Sequence, residues 1–565
     1  MRLFLLLLVF NSLFALDVDK VYKNSKDIHV KIYNNKTFKV TRSDGVILRK
    51  PFEGEQFFID RSNSKVKVDY KIVEKDGGVD IHYMVKNQTS IEQKIPDFLV
   101  DGLTFANTHR NRSINILNTL NFQYMHKRKF TEEVFQKYNG FDVNGEDHVY
   151  PEVYSPVIVA NDFDYSAGSS LNFNYQKDFI QPHMRVFQGE NGLWRYTYAD
   201  IDNRMLQAKE ELSVVLSIRF AKARNWLFTL YPYKKHFNSL YGNDSNIILK
   251  DLRPINGILL SYGSAAYENY VECAKEKGIC ADNQENIEKY NLYGYNYYIR
   301  PDLYGLDGAN SDHNNQKFIS TYIDKLNNSG FKRAMVWTVT GQYWRCPKAK
   351  QATNDGYFEC TTNYPPQFIT APSQKVANSI GAFKKFQQNG INLGLWWGRS
   401  GQVPSPYKWN PDDVISFDLN NKKDFDFYKN ELKVASTLGV KEIGLDAFSN
   451  MDRRYQLRWL KIMRKAYPNI KFYNEGSVCD FLHTQTSAFI QPQNPWVSHG
   501  FGPIKERALL MDYLNPHAEV IAYYPESTPP LSQIQKLINL GYTPLLLTHP
   551  NIFDEPVVNI NSLHY

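Results

Sequence analysis

The sequence is poor in cysteine and has no long apolar segment. It has five cysteines in 565 residues, with no CxxC or paired-histidine spacing, so the usual zinc patterns are missing. Its most apolar run, Leu3–Phe10, is too short to anchor stably in a bilayer, and we expect no membrane span. Lys and Arg alternate with Asp and Glu despite a net charge of +7, which indicates a solvated surface rather than a nucleic-acid-binding arm.

Residues 1–15 have the layout of a secretory signal peptide. Arg2 gives a positive start, the apolar run follows, and the segment ends on the small residue Ala15. We therefore expect an exported protein, either periplasmic or extracellular.

The cysteines fall into two local pairs and one single residue. In an oxidising compartment we predict disulfides Cys273–Cys280 and Cys346–Cys360, with Cys479 left as a buried thiol. A metal site is the weaker alternative.

Residues 17–245 show the pattern of short, half-buried strands. Alternation of apolar and polar residues in segments such as Val79–Val85 is interrupted by turn formers such as Asp76-Gly77-Gly78. Frequent turns between short alternating strands predict an N-terminal antiparallel β-sandwich domain.

Residues 250–565 change to apolar strands alternating with amphipathic helices. In four units a glycine that can end a helix precedes the next strand, namely Gly330, Gly390, Gly439 and Gly541. Eight strands in about 300 residues predict a (β/α)8 TIM barrel. A doubly wound sheet is the alternative, but no glycine-rich phosphate loop follows the first strand. The predicted strands are Ile255–Tyr262, Arg333–Thr340, Ile391–Trp397, Glu442–Phe448, Lys471–Glu475, Ala488–Gln491, Glu519–Tyr524 and Thr543–Thr548.

Two carboxylates close neighbouring strands of the predicted barrel. Asp446 ends the fourth strand and Glu475 the fifth, at the face where TIM barrels carry their sites. Retaining glycosidases need two carboxyl groups about 5–5.5 Å apart, and adjacent strand ends can supply that spacing. For both Asp446 and Glu475 the structural alternative is capping of the next helix or pairing with an arginine such as Arg453. Glu526 and Asp480 are further candidates for the acid/base.

Other side chains at the same face could hold a sugar. Tryptophan faces stack on the C–H groups of a pyranose, although one of two adjacent tryptophans should pack in the barrel wall. The predicted substrate-binding residues are Trp344, Trp396, Trp397, Arg399, Asn474 and Glu526.

Three segments resemble the α-galactosidase superfamily: Gly394–Trp397, Phe417–Asn420 and Gly439–Asp446. The resemblance implies a TIM barrel with the strand 4 aspartate as nucleophile. An acid/base on strand 5 is similar to the endo-α-N-acetylgalactosaminidases, whereas α-galactosidases proper place it near strand 6. Here the end of strand 6, Gln491–Trp496, holds no carboxylate, a departure from the α-galactosidase pattern.

The predicted function is a retaining α-glycosidase that cleaves an α-linked galactose- or N-acetylgalactosamine-like glycoside. Its partner would be an oligosaccharide or glycoconjugate, and the chemistry requires no metal or organic cofactor. A non-catalytic carbohydrate-binding or surface protein is one alternative. A metal-dependent hydrolase is another, for which the strand ends offer one histidine, His549.

Overall fold

The computed structural model describes separate parts of the chain. They are residues 28–32, 38–42, 65–94, 98–106, 115–120, 124–129, 153–161, 165–173, 183–188, 193–200, 205–244, 249–259, 276, 311–337, 380–397, 402–403, 415–416, 421–445, 448, 453–475, 478–490, 504–524, 530–548 and 557–565. The predicted signal segment lies outside them.

The chain divides into two compact units. The first comprises residues 1–243 and 499–516, and the second comprises residues 244–498 and 517–565. The segment 499–516 lies between two strands of the second unit in sequence but belongs to the first.

The first unit is built from antiparallel strands. A seven-stranded sheet has the order β3-β4-β14-β10-β9-β7-β8, and a three-stranded sheet has the order β11-β12-β6. The strands are β1 Ile28–Ile32, β2 Phe38–Arg42, β3 Val66–Lys75, β4 Gly78–Asn87, β5 Gln93–Lys94, β6 Phe98–Ala106, β7 Asn115–Leu120, β8 Tyr124–Lys129, β9 Val153–Asn161, β10 Tyr165–Asn172, β11 His183–Gln188, β12 Leu193–Asp200, β13 Met205–Leu206 and β14 Glu211–Lys222.

The two sheets form the predicted sandwich. Strand β11 contacts β9, and β6 contacts β14, which brings the smaller sheet against the larger. Alternate residues of β4 and β14 are buried, including Val79, Ile81, Val214 and Leu216. This period of two gives each strand one core face and explains why the sequence pattern predicted strands here.

The second unit contains a closed barrel of eight parallel strands, as predicted. They are β15 Ile255–Leu259, β16 Arg333–Trp337, β17 Asn392–Trp397, β20 Val440–Leu445, β21 Lys471–Glu475, β22 Ser487–Ile490, β23 Val520–Tyr524 and β24 Thr543–Leu547. A separate two-stranded sheet pairs β18 Gln402–Val403 with β19 Ile415–Ser416.

Seven α-helices occur in the described ranges. They are α1 Tyr231–Tyr241, α2 Ser311–Asn328, α3 Lys384–Gln388, α4 Lys422–Thr437, α5 Arg453–Ala466, α6 Ile504–Leu514 and α7 Leu531–Asn539. Short 3-10 helices span Ala223–Leu230, Ile380–Phe383 and Leu482–Thr484. Within the first unit, α6 packs against α1.

The helix-ending glycines take the conformation that their position requires. Gly330, Gly390, Gly439 and Gly541 have φ values of 87°, 70°, 78° and 87°. This left-handed region is open to glycine because it lacks a Cβ. After Gly330, the Phe331 N–H donates back to the Leu326 carbonyl at 2.9 Å, which ends the helix and starts the turn into β16.

Candidate functional site

The inner face of the barrel is defined by one buried cluster. Seven strands contribute one residue each, and β20 contributes none. On β20, Gly444 takes the corresponding place, because a Cβ there would lie 2.1 Å from the Trp396 indole. Gly444 therefore gives the indole room to lie across the strand that precedes Asp446. The cluster residues are Ile255, Met335, Trp396, Tyr473, Phe489, Ile521 and Leu545.

The two strands that carry the predicted catalytic pair are hydrogen-bonded neighbours. Strand β20 pairs in parallel with β21, and Leu445 is in register with Asn474. The residues that follow them in sequence are Asp446 and Glu475. Asp446 lies outside the described residues. The backbone of Glu475 pairs with Phe489, but its side chain is not described, so the distance between the two carboxyl groups stays a prediction.

The adjacent tryptophans occupy opposite sides of β17. Trp396 belongs to the interior cluster and is 6% exposed, with its ring centroid 5.2 Å from that of Phe489. Trp397 is fully buried on the outer side, where its ring centroid lies 5.8 Å from that of Tyr428 on α4. The prediction that Trp397 contacts a sugar is corrected accordingly, because successive residues of a strand face opposite ways.

Aromatic side chains continue the interior surface from Trp396. The Phe489 ring centroid lies 5.5 Å from that of Tyr523 on β23. Tyr523 is half-buried, and burial raises the pKa of its hydroxyl to about 12, so the phenol stays protonated at neutral pH. Three aromatic residues thus line adjoining positions inside the barrel.

Asn474 was predicted to bind substrate, but its amide faces the helix layer. The side chain is fully buried, and its Nδ2 donates to Gln456 Oε1 of α5 at 3.0 Å. It follows Tyr473, which faces the interior, so it takes the opposite side of β21. The interpretation of Asn474 as a substrate contact is corrected for this reason.

Asp480, the alternative acid/base, is a buried turn residue. Its Oδ1 accepts a 2.7 Å hydrogen bond from the Phe481 N–H at the start of the 3-10 helix Leu482–Thr484. That contact is typical of an acidic residue that stabilises a turn. The neighbouring Cys479 is a buried thiol.

The opposite end of the barrel holds an ionic network that the sequence analysis missed. Arg333 is fully buried. Its Nε donates to Glu442 Oε1 at 2.8 Å, and its Nη1 donates to Glu519 Oε1 at 3.0 Å. Burial alone would lower the pKa of Arg333, but these two carboxylates outweigh it and raise that pKa. The signal in the sequence was a charged residue at the start of an apolar strand.

Glu519 links this network to more of the barrel. Its carboxylate accepts hydrogen bonds from Ser487 Oγ at 2.9 Å and Thr543 Oγ1 at 3.0 Å. His483 Nε2 lies 2.8 Å from the Glu519 carbonyl oxygen, which can only accept, so Nε2 carries the proton. Burial lowers the pKa of His483 to about 4, and the imidazole is neutral at pH 7.

Several predicted site residues lie outside the described ranges. They are Trp344, Arg399, Glu526, Cys273, Cys280, Cys346, Cys360 and His549. Among the residues that are described, no group of three or more His, Cys, Asp or Glu side chains could hold a metal ion. None of the described helices is long and apolar enough to cross a membrane.

No model of a known protein family matches this sequence, and no curated protein matches it. Solved structures do match. The α-galactosidase of Lactobacillus brevis is 9% identical, with a TM-score of 0.42 over 94% of this chain and 66% of that chain. The galactosidase domain of the α-galactosidase-sucrose kinase AgaSK is 8% identical, with a TM-score of 0.41 over 92% and 67%.

A variant of the α-galactosidase AgaA from Geobacillus stearothermophilus, in complex with stachyose, is 9% identical, with a TM-score of 0.38 over 85% of this chain and 64% of that chain. The chain thus spans about two thirds of the length of these structures. One fold supports many chemistries, so function depends on the site residues of this chain.

Proposed function

We propose that the barrel is a retaining α-glycosidase in which Asp446 is the nucleophile and Glu475 is the general acid/base. The observation that carries the proposal is the register of β20 and β21, in which Leu445 pairs with Asn474. The next residue in sequence after each of these is a carboxylate: Asp446 follows Leu445, and Glu475 follows Asn474. Neighbouring strands lie about 4.8 Å apart, close to the spacing that a double displacement requires.

The alternation of the two strands supports the same assignment. Tyr473 faces the barrel interior, and Glu442 and Gly444 do so too, through their contacts with Arg333 and Trp396. Position 446 is two residues after Gly444, and position 475 is two residues after Tyr473. Because side chains alternate along a strand, we expect both carboxylates to face the mouth of the barrel.

The proposed reaction has two displacement steps. Asp446 attacks the anomeric carbon while the carboxylic acid of Glu475 protonates the departing glycosidic oxygen, which leaves as an alcohol. The Glu475 carboxylate then takes a proton from water as that water attacks the glycosyl-enzyme, which frees the sugar and the Asp446 carboxylate. Two inversions retain the anomeric configuration.

The aromatic interior provides a surface for a sugar ring. Tyr523 is half-buried and has the more accessible ring, whereas Trp396 and Phe489 are 6% and 5% exposed within the same cluster. Pyranose C–H groups stack on aromatic faces of this kind. Trp344, Arg399 and Glu526 remain predicted contacts. The preference for galactose- or N-acetylgalactosamine-like α-glycosides rests on the sequence resemblance and is part of the proposal, as is export of the protein.

The test is hydrolysis of a panel of α- and β-linked aryl glycosides. Asp446→Asn should abolish turnover of every substrate. Glu475→Gln should lose activity mainly on poor leaving groups, because good ones need little proton assistance. Azide should restore turnover to Glu475→Ala by replacing the water that has lost its base.

The matched control is Asp426→Asn. This aspartate is 52% exposed on α4 and paired with Lys422, so the same chemical change should leave activity unaltered. Saturable binding of a glycan without turnover of any substrate would contradict the proposal and favour the carbohydrate-binding alternative. Full activity of Asp446→Asn would exclude this nucleophile.

A further inference from the structure

Asn474 is a buried amide held by one side chain of the helix layer. Its Nδ2 donates to Gln456 Oε1 at 3.0 Å, and both residues are buried. Its Oδ1 has no hydrogen-bond partner among the residues that the structure describes. A buried amide that depends on one bond is sensitive to loss of that bond, since burying an unpaired polar group costs about 1–3 kcal/mol.

The hydrogen bond joins the two chain segments that carry the proposed catalytic pair. Asn474 is bonded through its peptide to Glu475. Gln456 belongs to α5, the helix that follows Asp446 in sequence. The contact therefore fixes the end of β21 against the helix that leaves β20.

We infer that Gln456 and Asn474 form a positioning pair that sets the location of the Glu475 carboxyl group. This inference rests on the proposed function. If the Gln456 acceptor is lost, the Asn474 amide has to turn toward another partner. Without this tether to α5 the end of β21 shifts and carries Glu475 with it, and misplacement of a catalytic group by about 1 Å can cost about a hundredfold in rate.

The first test variant is Gln456→Met, which keeps the length of the side chain and removes the acceptor. We expect kcat/KM to fall about 10- to 100-fold on substrates with poor leaving groups and less than about threefold on good ones. Glu475→Gln should show the same dependence on the leaving group. Misplacement of the Glu475 acid in Gln456→Met should therefore produce a weaker form of the same kinetic effect.

The chain offers a matched control on another strand. Asn256 of β15 also faces the helix layer and accepts a 2.6 Å hydrogen bond from Tyr322 Oη of α2. Its Oδ1 accepts a second bond from Thr548 Oγ1 at 2.6 Å, so the loss of stability in Tyr322→Phe should be the smaller one. Strand β15 carries no residue of the proposed catalytic pair. Tyr322→Phe should reduce stability, as Gln456→Met does, but its loss of activity should not depend on the leaving group.

A double variant separates stability from position. Asn474→Leu with Gln456→Met removes both ends of this hydrogen bond, so the Asn474 amide is no longer left buried and unpaired. We expect the double variant to regain much of the lost thermal stability and to keep the dependence on the leaving group. Recovery of both properties together would overturn the inference, because the pair would then act only through stability.

The outcomes distinguish this inference from the proposed function. If the wild type cleaves no glycoside, both fail. If Glu475→Gln shows the dependence on the leaving group but Gln456→Met does not, the inference alone is wrong. A uniform loss on all substrates in Gln456→Met would also overturn it, because that pattern indicates displacement of the nucleophile.

Discussion

Replacement of Arg333 by methionine tests what holds the base of the barrel together. The guanidinium contacts Glu442 on β20 and Glu519 just before β23, and its Nη2 donates to the Tyr473 hydroxyl on β21. A methionine side chain at this position would fill similar volume without charge. Glu442 would then remain buried without the cation that compensates it, and Glu519 would keep the more distant Lys471 Nζ at 3.7 Å.

The expected loss of stability is large because the side chains of the network are shielded from solvent. Arg333 and Glu519 side chains are 0% exposed, and that of Glu442 is 2% exposed. Removal of one partner of such a pair typically costs about 3–5 kcal/mol, a large share of the roughly 5–15 kcal/mol that stabilises a domain. Conversion of Glu442 and Glu519 to glutamine in the same chain should recover part of this loss, since the two most deeply buried carboxylates are then neutral.

The appropriate assay is urea unfolding, monitored by hydrogen exchange of peptides from the barrel strands. The chain has two compact units, so the change should lie in the transition of the second unit. Lys422→Met is the control, since its pair with Asp426 is exposed and such pairs contribute about 0–1 kcal/mol. A loss below about 1 kcal/mol in Arg333→Met would refute the reasoning, as would an equal loss when all three charges are removed.

Four other predictions concern a histidine, a glycine, the N-terminus and the paired cysteines. Because the pKa of His483 is about 4 in the folded state and about 6.5 when unfolded, the unfolded state binds more protons between these values, and stability should fall as pH drops from about 6.5 to 4. His483→Gln should flatten that dependence in pH-dependent thermal melts, and an unchanged slope would contradict the assignment. Gly444→Ala should lose turnover and stability together, because the new methyl displaces the Trp396 indole; wild-type kinetics would show that the indole position is unimportant. N-terminal sequencing of the exported protein should find residues 1–15 removed, whereas a start at Met1 would exclude a cleaved signal. Non-reducing peptide mapping should find the disulfides Cys273–Cys280 and Cys346–Cys360. Free thiols at these four cysteines would rule the disulfides out.

The strands and helix ends were predictable because they depend on local pattern. Each apolar run of the second half became a barrel strand, and strand β20 begins two residues before its predicted start at Glu442. The glycines that follow the helices were readable because a left-handed residue favours glycine wherever it occurs. Alternation also implied that Trp396 and Trp397 would face opposite sides, but not which of them would face inward.

The ionic network at the base of the barrel was not predictable from the sequence. Arg333, Glu442 and Glu519 look like surface charges in sequence, because charged residues at strand ends are usually solvated. They become a buried network only when barrel closure brings β16, β20 and β23 around one axis.

The sequence by itself determined the order of the elements, the parity of each strand and the two carboxylates that follow β20 and β21. Only the tertiary structure decided the register of Leu445 with Asn474, the side of β21 on which Asn474 lies, and the partners of Arg333. Local patterns report burial and period, which are properties of one segment. Register and pairing depend on contacts between segments that are far apart in sequence, and these form only when the barrel closes.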